Sequence, residues 1–332
     1  MVVFLIVSLT FNINIIEMLR VKFFSNAQNT QGAIGSNAES GAAAGMAGSA
    51  GSAAWSPADD YADDAAGGTT GSGVVIGGVQ KLTIQFTKQI RVINIEDTRY
   101  LELINNDHHI SQEVANLMDN EPDAGIIVSA WPTVPVSTTD ITVHKKTLEA
   151  LAELIAAARE TVAGSYYISS GYRDYDKQSQ IYDEMDDKSY AQPPNYSEHQ
   201  TGLAVDILSM GIPQASMAAS REGRWLAANS WKYGLIMRYD ENKKDITGIA
   251  GEPWHYRYVG QPHAWVCYQN NICLEEYIGF LKDYGGYSAK YDGKEYYVSY
   301  QTPEFGALFA PDNMEYNVSS DNTGNYIITA WQ

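Results

Sequence analysis

Two imidazoles and two carboxylates stand in this chain at spacings that suit metal-assisted hydrolysis. His199 and Asp206 are separated by six residues in Ser197-Glu-His-Gln-Thr-Gly-Leu-Ala-Val-Asp206, and Glu252 precedes His255 by one tight turn in Glu252-Pro-Trp-His255. Two His and one Asp make three protein ligands for a zinc ion and leave a fourth position open for water or substrate. Glu252 is then free to take a proton from that water and return it to a leaving amine. Arg173, in Ser170-Gly-Tyr-Arg173, offers a planar fork of donors that keeps its charge, which suits a developing oxyanion. The donor set also suits non-haem iron, but that chemistry leaves Glu252 without a task. The remaining histidines, His108, His109, His144 and His263, are read as ordinary core or surface residues.

These groups need rigid elements to hold them. Between Lys145 and Ala163, Leu148, Leu151, Leu154, Ile155, Ala158 and Val162 fall on one helical face, and Gly164 stops the helix. A strand, Tyr166–Ser169, leads into Arg173, and a helix starting near Asp174 or Asp176 carries Gln178. A loop with Pro193-Pro194 delivers the chain to Ser197, and the run 203–208 reads as a buried strand with Asp206 on it. A helix over 222–233 closed by Gly234, strands over 235–239 and 254–259, and helices over 262–270 and 274–283 follow. Period-two alternation predicts strands over 81–86, 89–95 and 100–104 before the first helix, and over 294–300 and 325–331 in the tail.

The 332 residues suit about two domains. Only 19% of them are charged, with a net charge of −18. An acidic chain without a basic cluster lacks the phosphate contacts that nucleic-acid binding requires. No serine is followed three residues later by Lys, which closes the serine-carboxypeptidase route. Cys267 and Cys273 form no CxxC pair, so they predict no thiolate site; they suit either a small disulfide in an exported protein or two buried thiols. Residues 1–24 read as an apolar signal- or anchor-like segment: the run 2–16 is uncharged, short for a membrane span and long enough for a signal core. Arg20 and Lys22 follow the run and no basic residue precedes it, so a basic leader is expected upstream of Met1. Residues 25–78 are rich in Gly, Ala and Ser, carry Asp59, Asp60, Asp63 and Asp64, and read as a flexible acidic linker. Residues 79–285 are expected to form the catalytic domain with a short β lead-in, and 286–332 a small β appendage.

The runs Ser170–Arg173 with Gln178, Ser197–Asp206, and Gly251-Glu-Pro-Trp-His-Tyr-Arg-Tyr-Val-Gly260 together resemble the VanY-type D-alanyl-D-alanine carboxypeptidases. The resemblance covers roughly 100–283. It implies an α+β fold, a small and mainly antiparallel sheet flanked by helices, with a zinc site in a cleft. It also implies removal of the terminal D-Ala from peptidoglycan stem peptides by an exported or membrane-anchored enzyme that faces the cell wall. Carried over by position, His199, Asp206 and His255 bind Zn2+, Glu252 is the general base, Arg173 stabilises the oxyanion, and Ser197, Gln178 and Tyr239 line the substrate pocket. Two positions depart from the pattern: Asn195 stands where relatives often have Gly, and Asp240 where they often have Pro. Both sit at the pocket rim, so substrate preference is less determined than chemistry. An L,D-carboxypeptidase, an endopeptidase, and a non-catalytic zinc-fold binding module stay open as alternatives.

Overall fold

A computed structural model describes residues 68–69, 75–110, 127–161 and 164–332. The expected anchor-like segment lies outside the described residues, as does most of the linker. The strands are β1 (Gly68–Thr69), β2 (Val75–Ile76), β3 (Gln80–Lys81), β4 (Lys88–Arg91), β5 (Ile127–Ser129), β6 (Thr142–His144), β7 (Tyr166–Ser170), β8 (Ala204–Ser209), β9 (Leu235–Tyr239), β10 (Glu252–Tyr258), β11 (Gly286–Tyr291), β12 (Lys294–Gln301), β13 (Ala307–Ala310), β14 (Glu315–Ser320) and β15 (Tyr326–Trp331). The helices are α1 (Lys145–Thr161), α2 (Tyr175–Glu184), α3 (Arg221–Asn229), α4 (Lys244–Thr247), α5 (His263–Asn270) and α6 (Leu274–Tyr284).

The site is organised by a four-stranded antiparallel sheet in the order β7-β8-β10-β9, with β8 and β10 central. Side chains alternate across a strand. Trp254, Tyr256 and Tyr258 of β10 therefore face an apolar core made with Leu151, Leu154, Ile155 and Ala158 of α1 and Leu226 of α3. Pro253, His255 and Arg257 point to the other face. Burying the apolar stripe of α1 against this sheet, at about 1.5–3 kcal/mol per large side chain, makes it a rigid base for the site. Register slips break the ladder twice near the ligand candidates, between Ile168 and Ser170 in β7 and between Glu252 and Tyr256 in β10. Such bulges re-aim side chains beside functional sites.

A second antiparallel sheet, β14-β15-β12-β11-β3, packs on α5 and α6. Its core residues Tyr287, Ala289, Val298 and Ile327 share one cluster with Val266, Leu274, Tyr277 and Leu281 of the helices and with Ile236 of β9. The apolar core thus runs across the 285/286 boundary, with Gly285 turning the chain at φ 79°. Ile76 is fully buried in the same cluster, and Gly77 N donates to Asn270 Oδ1 at 2.6 Å. Folded structure thus includes residues just ahead of the expected start at 79.

Three expected strands differ. The 81–86 run keeps its alternating burial, but the ladder stops after Lys81 because Thr83 N donates to the Ser288 hydroxyl. The 89–95 run pairs with β13 only through Arg91 and then turns into a 3-10 segment, Val92–Asn94. The 100–104 run is not a strand: Leu101 through Ile104 are buried one after another rather than alternately. Their backbone is satisfied by side chains instead, since Arg257 Nη2 donates to the carbonyls of Arg99, Tyr100 and Glu102, and Leu101 N donates to Ser319 Oγ. Alternating Leu and Ile marks a strand only when the backbone has another strand to pair with.

Candidate active site

Pairing of β8 with β10 sets Asp206 directly opposite His255. His199 arrives from the side, on the single 3-10 turn Glu198–Thr201 that precedes β8. Two glycines let that turn lie close to the β5–β6 hairpin. Gly202 ends the turn at φ 69°, and a side chain there would meet His144 N at 2.8 Å and Ile127 Cδ1 at 2.6 Å. At Gly171 a side chain would meet Thr142 O at 2.3 Å. In exchange, Gly202 O accepts from His144 N, and Thr142 O accepts from Tyr172 N.

The three side chains offer ligand atoms that all lie within 4.8 Å of one another. Asp206 Oδ1 is 3.5 Å from His199 Nε2 and 3.3 Å from His255 Nδ1. The Gly171 carbonyl lies 2.7 Å from His199 Nδ1. A carbonyl can only accept, so Nδ1 holds the proton and Nε2 keeps its lone pair for the cleft. Asp206 Oδ1 is buried and accepts no hydrogen bond among the described residues. Buried lone pairs converging on one point are costly unless a cation lies among them. The residues present therefore fit a zinc ion with two imidazoles and one carboxylate.

Burial, with the Arg173 charge adding to it, pushes the His199 imidazole down to about 4, so it stays neutral. Burial also pushes the Glu252 carboxyl up to about 7, with the Asp206 charge helping and His255 and Arg173 opposing. Glu252 Oε2 lies 3.5 Å from His255 Nδ1, and Glu252 pairs with Tyr239 across β9. A carboxyl poised near neutrality beside the metal ligands is suited to pass a proton in either direction.

Arg173 is aimed at the cleft by three bonds. Its Nε donates to Ser170 Oγ at 3.0 Å, Nη1 to Gln178 Oε1 at 3.3 Å, and Nη2 to Asp206 Oδ2 at 3.2 Å. A guanidinium has about five N–H donors, which leaves roughly two for another ligand. Gln178, expected in the pocket lining, is buried behind Arg173 and also donates to Gln192 O at 2.6 Å. Its place is that of a brace for Arg173. Ser197 is buried at the start of the 3-10 turn. The Tyr239 ring packs 4.8 Å from the His255 ring. Asn195 adopts φ 70°, the left-handed region that Gly favours and Asn tolerates, which accounts physically for the exchange of the two residues there.

Sequence reasoning missed what stands behind His255. Arg238 donates to Glu198 Oε1 at 2.8 Å from Nε and to both oxygens of Glu275, at 2.8 and 2.6 Å. Arg257 Nη1 lies 3.0 Å from the same Glu198 Oε1 as an ion pair. Burial alone would raise the Glu198 carboxyl, but Arg238 and Arg257 outweigh it and hold it well below the usual carboxylate range. A signal for this group was present in the sequence. Arg238 and Arg257 each interrupt an apolar strand run, and a charge inside a buried strand requires a partner.

The model of the VanY family, D-alanyl-D-alanine carboxypeptidase, matches residues 140–261, a span that contains Arg173, His199, Asp206, Glu252 and His255. A D-alanyl-D-alanine carboxypeptidase of Enterococcus faecium is 37% identical over 193 residues, covering 58% of this chain and 62% of that protein. One of Enterococcus faecalis is 40% identical over 149 residues, covering 40% of this chain and 54% of that protein. The chain thus spans less than two thirds of the length of either relative. Among solved structures, the vancomycin-resistance D,D-dipeptidase VanXYg, in complex with a D-Ala-D-Ala phosphinate analogue, superposes with a TM-score of 0.62 at 26% identity. That match covers 74% of this chain and 98% of the other. The mixed fold of helices and antiparallel sheet is the one expected. Over residues 140–261, the chain carries a domain of the VanY family.

Proposed function

We propose that this chain is a zinc-dependent D-alanyl-D-alanine carboxypeptidase that removes the terminal D-Ala from peptidoglycan stem peptides. The observation that carries this reading is the convergence of His199, Asp206 and His255 on one point, with Glu252 3.5 Å from His255. The VanY-family match and the relatives named above supply the substrate class. Zinc, when bound by these three residues, supplies an acidified water and polarises the scissile carbonyl.

The protein's own groups do the rest. His199, fixed through Gly171 O, and His255 hold their rings in the orientation that binding needs. Glu252 takes the proton of the attacking water and delivers it to the leaving amine of D-Ala, so it ends the cycle as it began. The unused N–H groups of Arg173 meet the oxygen on which negative charge develops, a contribution of about 2.7–4 kcal/mol. Tyr239 and Ser197 form the wall beside His255 and the 3-10 turn. On this reading the chain is exported, with residues 1–24 as anchor and 25–67 as tether; among the described residues no helix is long and apolar enough to cross a membrane.

The test is to incubate the zinc-loaded protein with tetra- and pentapeptide muropeptides and weigh the products. Loss of a single alanine from the pentapeptide alone supports the proposal. Loss from the tetrapeptide points to an L,D-carboxypeptidase, cleavage of cross-linked dimers to an endopeptidase, and intact peptides with bound zinc to a binding module.

A further inference from the structure

The buried charges behind His255 have a use beyond stability. His255 turns Nδ1 toward Asp206 and Glu252, at 3.3 and 3.5 Å. Its other ring nitrogen, Nε2, faces Glu198 Oε2 at 3.6 Å. Both of these atoms are buried and neither has a hydrogen-bond partner among the described residues. The Glu198 side chain is wholly buried, and its other oxygen, Oε1, is held by Arg238 at 2.8 Å and Arg257 at 3.0 Å. Arg238 is in turn gripped by Glu275, which takes a further bond from Asn105 Nδ2 at 3.1 Å.

We infer that Glu198 is the positioning residue for His255: its Oε2 accepts the Nε2 proton, which commits Nδ1 to the metal and fixes the ring's orientation. The inference rests on His255 being a metal ligand, as proposed above. An imidazole that ligates through one nitrogen is neutral and must carry its proton on the other. A buried N–H there needs an acceptor, and ligating histidines ordinarily donate to a carboxylate or carbonyl that sets tautomer and basicity. For His199 that acceptor is the Gly171 carbonyl. For His255 the described residues place one unpartnered acceptor in front of Nε2, and it is Glu198 Oε2. Closing 3.6 Å to hydrogen-bond length needs a shift of only a few tenths of an ångström. The two arginines hold Glu198 Oε1 and stop the side chain from turning away, so the ion-pair group is a scaffold for one oxygen atom.

The experiment compares zinc affinity, by chelator competition, in wild type, Glu198→Gln, Glu198→Asp, Glu275→Gln and His255→Ala, with circular dichroism to register folding. Glu198→Gln keeps the volume and removes the charge facing Nε2. Glu198→Asp keeps charge for both arginines and draws the carboxylate back by one methylene. Glu275→Gln disturbs the same Arg238 without touching His255. Both Glu198 variants are expected to weaken zinc binding about 10- to 100-fold, with Glu275→Gln close to wild type. Cobalt(II) in place of zinc should show an altered visible spectrum in the Glu198 variants alone. Wild-type affinity in the Glu198 variants, or an equal loss in Glu275→Gln, overturns the inference. If Glu198→Gln does not fold, the comparison of Glu198→Asp with Glu275→Gln decides alone. Failure of the metal reading itself looks different: wild type binds no zinc, or His255→Ala binds it as tightly.

Discussion

Two clusters of charged and polar side chains lie back to back against β10, and they are built on opposite principles. In the cleft, His199, Asp206, Glu252 and His255 bring together lone pairs and negative charge with too few donors, and Asp206 Oδ1 is left without a hydrogen bond among the described residues. Behind it, Glu198, Glu275, Arg238 and Arg257 match two negative charges with two positive ones at 2.6 to 3.0 Å. The first is incomplete by itself and ready to receive a cation. The second is balanced in charge and leaves one oxygen, Glu198 Oε2, facing His255 Nε2 at 3.6 Å. Incompleteness of this kind marks function, whereas balance marks scaffold.

If the comparison is right, damage to the two clusters has different consequences. Breaking the cleft with His199→Ala should abolish both zinc binding and turnover while leaving the metal-free protein folded, its melt lowered only by the lost bond to Gly171 O and the space left behind. Metal analysis, D-Ala release and thermal melting check the three parts. Breaking the scaffold with Arg238→Met should act first on stability. Glu275 loses its partner and Glu198 one of its two, and stability to urea should fall by about 3–5 kcal/mol.

Arg173 belongs to both worlds, being paired to Asp206 at 3.2 Å yet with donors to spare. Arg173→Ala should lower kcat about 10²–10³-fold and leave the zinc content unchanged, as steady-state kinetics and metal analysis would show. The smallest effect is expected at the rim. Asn195→Gly keeps the left-handed backbone and should shift stability by no more than about 0.5 kcal/mol. Asn195→Val should cost about 1–3 kcal/mol, since a β-branched residue is strained at φ 70°.

The cleft was far more legible in sequence than its scaffold, and the reason is physical. His199 and Asp206 lie on one short segment, and Glu252 and His255 on another, so local spacing reports the geometry of each half. Helix α1 was equally plain, since its apolar stripe has a 3.6-residue period and buries Leu151, Leu154, Ile155 and Ala158 on one face. The scaffold joins Glu198, Arg238, Arg257 and Glu275, residues far apart in the chain, and although Arg238 and Arg257 each stand in an apolar strand run, no local spacing names their partners. Gln178 is a related case: spacing places it near Arg173 but does not say whether it stands before or behind it. The 100–104 run misled because its backbone is satisfied by Arg257 and Ser319, partners that no local pattern reveals. Strands β11 and β14 were overlooked because Gly286-Tyr-Ser-Ala-Lys-Tyr291 and Glu315-Tyr-Asn-Val-Ser-Ser320 carry too few apolar residues to alternate clearly.

In the proposed function the cleft holds zinc through three residues and moves protons through a fourth. Its most direct test is a paired measurement on wild type and Glu252→Ala of zinc content and of D-Ala released from a pentapeptide stem. One zinc per chain is expected in both proteins, with release of D-Ala by wild type alone. Release by the zinc-loaded Glu252→Ala protein at the wild-type rate, or loss of zinc together with activity in that variant, would contradict it.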